Sequence, residues 1–87
     1  MKMTFMNTKT TKTNKYRLKD IFITSTLYAL GEKIDSTEWL DGECWFLFCN
    51  ESKCDELVNK YYANELKVNP RILFDSFKTI KSILFNK

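Results

Sequence analysis

Three cysteines, Cys44, Cys49 and Cys54, fall at intervals of five, and no histidine occurs anywhere in the chain. Without histidine the ordinary general base near neutral pH is missing. Zinc sites draw on Cys-x-x-Cys or mixed Cys/His clusters, and this spacing supplies neither. No Gly-rich phosphate loop is present. Cys54 is the one nucleophile candidate, because a thiol in the first turn of a helix can have a lowered pKa. It also heads an apolar stripe, which favours a buried structural thiol. Glu38 and Glu43 are paired acids, yet they flank a turn, where solvated charge is the default. The expectation is a protein that is not an enzyme, with no catalytic residue, no metal and no cofactor.

The elements that position these residues begin with the stretch 34–50, IDSTEWLDGECWFLFCN. Asp41-Gly42 is a favoured pair for a two-residue type I′ hairpin turn, whose central residues both need positive φ. That turn pairs Leu40 with Glu43, Trp39 with Cys44, Glu38 with Trp45 and Thr37 with Phe46. One face then carries Trp39, Cys44, Phe46 and Phe48. The other carries Leu40, Trp45, Leu47, Ile34 and Cys49, diluted by Glu38, Glu43 and Ser36. Both faces are partly apolar, unusual for a ribbon with one side in water. Cys44 and Cys49 on one strand sit about 16 Å apart, too far for a disulfide.

Helices are expected on either side. Ile21-Phe22-Ile23 leads into Thr24 or Ser25 as a cap, with Leu27, Leu30 and Ile34 at helical spacing, Tyr28 alongside, and Gly31 closing the end. After the hairpin, Ser52 and Asp55 form a variant capping box, and Cys54, Leu57, Val58, Tyr61, Tyr62 and Leu66 make an amphipathic stripe. Asn69-Pro70 starts a third helix, the proline standing where its missing amide costs nothing. Leu73, Phe77, Ile80 and Leu84 are its seam, widened by Ile72, Phe74, Ile83 and Phe85, while Lys78 and Lys81 mark the wet side. The fold expected is α+β: one small domain over residues 16–87, a two-stranded antiparallel hairpin packed with about three helices in the order α-β-β-α-α. Residues 1–15, rich in Thr, Lys and Asn, read as a flexible basic arm.

At 87 residues the chain is one domain, burying only roughly 60% of its unfolded surface. The net charge of +3 is unevenly laid out: residues 1–19 carry +6, residues 20–56 carry −7 and residues 57–87 carry +4. Such asymmetry suggests charged surfaces that face different things. No apolar run approaches the ~18 residues of a membrane span, no secretory h-region is visible, and the odd cysteine count suits a reducing cytoplasm.

The order of these pieces resembles a small bacterial and phage domain family of unknown function. The matching positions are Phe22-Ile23-Thr24, Leu27-Tyr28-Ala29-Leu30-Gly31, Phe46-Leu47-Phe48, Leu57-Val58, Tyr61-Tyr62, Val68-Asn69-Pro70, Leu73-Phe74 and Leu84-Phe85. The segment after Leu27 is shorter than the family's first helix, and the basic arm is extra. The resemblance implies an α+β fold in mobile-element genomes and assigns no catalytic residue.

Binding is the function expected. If Phe46 and Phe48 face the helices, then Leu40, Trp45 and Leu47 point outward, rimmed by Glu38 and Glu43, as an interface for another protein or for a second copy. The acidic middle of the chain suits a basic, nucleic-acid-binding partner. With the phage-like resemblance, this suggests inhibition of a host defence nuclease such as a CRISPR effector. The alternative is nucleic-acid binding through the basic arm and the bases beside it, Lys9, Lys12, Lys15, Arg17 and Lys19, with Lys78 and Lys81 of the third helix.

Overall fold

The computed structural model describes residues 15–85. Its elements are β1 (Tyr16–Leu18), α1 (Ile21–Ala29), β2 (Ile34–Leu40), β3 (Glu43–Phe48), α2 (Glu51–Tyr62) and α3 (Pro70–Phe85). The three strands form one antiparallel sheet in the order β1-β3-β2. This small α+β domain adds a strand to the expected hairpin. In β1 the partly buried Tyr16 and Leu18 flank exposed Arg17, a period of two hidden in a composition that reads as basic arm. The arm itself lies outside the described residues, apart from Lys15.

The hairpin has the expected register. Leu40 pairs with Glu43, Trp39 with Cys44, Glu38 with Trp45 and Thr37 with Phe46. Asp41 and Gly42 take φ of 52° and 80°, both positive, as a type I′ turn demands. The register slips between Ile34 and Ser36, where a bulge accommodates Asp35. Ile34 therefore belongs to the sheet and not to the helical series Leu27, Leu30, Ile34.

Helix α1 begins earlier than expected. Asp20, not Thr24 or Ser25, is the cap, its carboxylate accepting from the amides of Phe22 and Ile23. Ile21-Phe22-Ile23 thus forms the first turn, and Thr24, Ser25 and Thr26 fall in the buried middle. The Ser25 and Thr26 hydroxyls donate to the carbonyls of Ile21 and Phe22 four residues back, whereas buried Thr24 Oγ1 has no partner among the described residues. Gly31 closes the helix at φ 99°: its amide donates to Tyr28 O and that of Glu32 donates to Leu27 O, the paired bonds of a Schellman motif. Asn64, at φ 61°, closes α2 the same way, with bonds from Asn64 to Tyr61 and from Glu65 to Lys60.

Helix α2 is capped by Asn50, which accepts from the Lys53 amide, so the expected Ser52/Asp55 box gives way to a residue two places earlier. Asn69 caps α3 as expected, accepting from Arg71 and Ile72. The core is Ile23, Leu27, Cys44, Phe46, Phe48, Cys54, Leu57 and Ile80. Helix α1 runs through its centre and α3 packs along α1, where small Ser25, Thr26 and Ser76 are all buried.

Candidate functional site

The outer face of the sheet gathers the expected partner-binding residues. Trp45 and Leu47 on β3 are half-buried, and Leu40 is 46% exposed. Arg17 on β1 reaches across β3 to β2, where its Nη2 donates to Glu38 Oε1 at 2.9 Å. On the way its guanidinium lies 5.2 Å from the Trp45 ring centroid. Lys19 donates to Glu43 Oε1 at 2.9 Å and sits 5.4 Å from the same ring. Lys15 lies 3.9 Å from Asp35. Trp45 is therefore roofed by two cations, each tied to a carboxylate.

This arrangement corrects the reading of the charge layout. Three bases of the positive N-terminal segment face three acids of the negative middle, instead of two surfaces facing different partners. Glu38 and Glu43 are members of ion pairs, and so are Lys15, Arg17 and Lys19, which the nucleic-acid alternative assigned to phosphate. Lys9 and Lys12 lie outside the described residues.

Bare apolar surface lies also on α1 and α3. Phe22 of α1, 61% exposed, stacks on Phe77 of α3 with centroids 5.5 Å apart and planes 6° from parallel. Phe74 and Phe85 of α3 are 65% and 73% exposed. Between the helices opens a cleft of about 320 Å³ lined by Phe22, Thr26, Tyr61, Leu73, Phe74 and Phe77, with Ser25 at its floor. A second depression, sharing Thr26, Tyr61 and Leu73, extends it toward Leu66 and Val68. Lys81 Nζ lies 5.5 Å from the Phe77 ring and 6.0 Å from Phe85. Arg71, Lys78 and Lys81 have no carboxylate partner among the described residues.

Sequence reasoning named Phe74 and Phe85 as seam wideners and Tyr62 as part of a buried stripe. The structure leaves all three exposed. The available signal was the breadth of the apolar arc on α3, wider than one neighbouring helix can cover. α3 packs chiefly along α1, and its flank at Phe74, Lys78, Lys81 and Phe85 stays exposed.

Two of the three cysteines are buried. Cys54 is buried in the core, and its thiol is pushed up to about 12 by burial and then by the neighbouring Glu32 carboxylate, 3.9 Å away. The lowered pKa that a helix N-terminus can give does not prevail. Burial also raises Cys44, while Cys49 is exposed. Among the described residues no group of His, Cys, Asp or Glu is placed to hold a metal ion, and no helix is long and apolar enough to cross a membrane. Comparison with family models, curated proteins and solved structures returned no match, which neither supports nor overturns the resemblance described above.

Proposed function

We propose that the protein acts by binding another protein, without catalysis, and that the α1/α3 face is its docking surface. The observation that carries this reading is the pair of exposed Phe22 and Phe74 on an open apolar cleft, with exposed Phe85 farther along α3. Aromatic side chains exposed together are costly to leave in water, and such patches mark interaction sites. The high pKa of the buried Cys54 thiol supports the non-catalytic part of the reading, since the thiolate is the nucleophile.

The test is retrieval of partners from the native host by the tagged chain, with a Phe74→Asp/Phe85→Asp variant as control. Both residues are exposed, so circular dichroism should remain native. A protein held by the parent and lost by the variant supports the proposal. One lost only on Leu40→Asp returns the site to the sheet face. Recovery of nucleic acid alone, lost on Lys78→Glu/Lys81→Glu, favours the nucleic-acid alternative.

The narrower form, inhibition of a host defence nuclease such as a CRISPR effector, draws its support from the resemblance. The ion pairs of Lys15, Arg17 and Lys19 engage three of the nine acids in residues 20–56 that favoured a basic partner. An interference assay with and without the protein tests it, and unchanged interference rejects it.

A further inference from the structure

We infer that the α1/α3 cleft takes an acidic, amphipathic segment of its partner, anchored by large apolar side chains; this rests on the docking face proposed above. Three features define such an occupant. The cleft walls are apolar, and the two hydroxyls at its floor already donate to their own helix, Ser25 to Ile21 O at 2.6 Å and Thr26 to Phe22 O at 2.9 Å. With both protons committed, an acceptor atom of an occupant would find no donor in Ser25 or Thr26, a cost that an apolar side chain avoids. A cleft of about 320 Å³ suits one or two side chains of the size of Leu or Phe.

The exposed flank of α3 supplies the second feature. Lys78 and Lys81 stand there without carboxylate partners among the described residues, and Lys81 lies beside the ring of Phe77, a residue of the cleft wall, and beside Phe85. Carboxylates flanking the anchors would meet this basic flank, and complementary charge sets register and association rate. The third feature argues against a second copy: a two-fold contact must find its complement within its own patch, and α3 offers the single acid Asp75 against Arg71, Lys78 and Lys81.

The test selects random dodecapeptides against the intact chain and measures the winners by fluorescence anisotropy. The expected winners carry two large apolar residues three or four apart with an excess of Asp and Glu. Binding should weaken roughly tenfold on Lys78→Glu or Lys81→Glu and fall off with added salt. Peptides with Lys in place of Glu should recover affinity for the Lys78→Glu variant. Lys78 makes no ring contact with Phe77 or Phe85, so its variant separates charge from packing. Neutral or basic winners, or winners indifferent to both reversals, overturn the inference while leaving the docking face intact if Phe74→Asp still abolishes binding. Absence of any winner also overturns it, and the host retrieval then decides separately whether a protein partner exists.

Discussion

Burial decides what each cysteine does, because ionisation in an apolar setting is penalised. Cys54 rises from its ordinary value of 9.0 to about 12, and Cys44 and Tyr16 rise as well, all chiefly through burial. The folded chain thus holds these protons more tightly than the unfolded chain does. The stability they contribute is whole below about pH 9 and is lost as pH climbs from there through the folded values. Melting temperature should therefore fall as pH rises from about 9 toward about 12. Cys54→Ala should flatten that slope, whatever it does to the absolute value; an unchanged slope would show that the thiol keeps its ordinary pKa. Cys44 and Cys54 were legible as core residues from their places in an apolar strand and stripe. Glu32 was not legible as a neighbour, because no local pattern brings residue 32 to residue 54.

At the scale of elements, β1 was the main omission. A three-residue strand carries too little periodicity to stand out, and Lys15, Arg17 and Lys19 outweigh Tyr16 and Leu18 in composition. Its role appears only when its register against β3 is known: Arg17 lies opposite Leu47 and points to the outer face, from which it spans Trp45 to reach Glu38. Arg17→Ala should leave the fold intact and lower stability by about 0.5–1 kcal/mol, the scale of an exposed ion pair with a cation–π contact. In a Trp39→Phe background, Trp45 emission should shift to longer wavelength in the same variant. An unshifted spectrum would mean that the guanidinium does not roof the ring. The hairpin, by contrast, was readable from Thr37 to Phe46, because Asp41-Gly42 admits one tight turn that dictates those pairs; the bulge at Asp35, which puts Ile34 opposite Phe48 on the core side and not on the outer face, was not. The start of α1 was misread because Thr24, Ser25 and Thr26 resemble caps. Their true role is to be small where α3 crosses.

The whole molecule is layered, with α1 inside and α3 outside. Eight apolar residues make the core, and α3 contributes only Ile80 to its fully buried part. α3 is thus peripheral to the core and joined to the rest mainly through α1. Ile80→Ala should cost about 2–5 kcal/mol, and the loss should be uneven. Amide exchange across 70–85 should accelerate more than exchange in β3, since peripheral units open before central ones. Equal acceleration everywhere would show a single cooperative unit. The architecture of three helices and a hairpin followed from periodicity and caps. The exposed α1/α3 face did not, because an amphipathic pattern shows which residues are apolar but not which of them find a neighbour.

The cross-sheet ion pairs have a consequence for inheritance. Lys15–Asp35, Arg17–Glu38 and Lys19–Glu43 each join a base from the first strand segment to an acid of the hairpin. Exchanging both members of a pair keeps the attraction, whereas exchanging one sets like charges together. Descendants of this chain are therefore free to invert the sign of both segments, provided that partners change in step. Two such proteins could share every backbone bond of the sheet and still look unrelated by charge. Paired changes between residues 15–19 and 35–43 would be the trace that connects them.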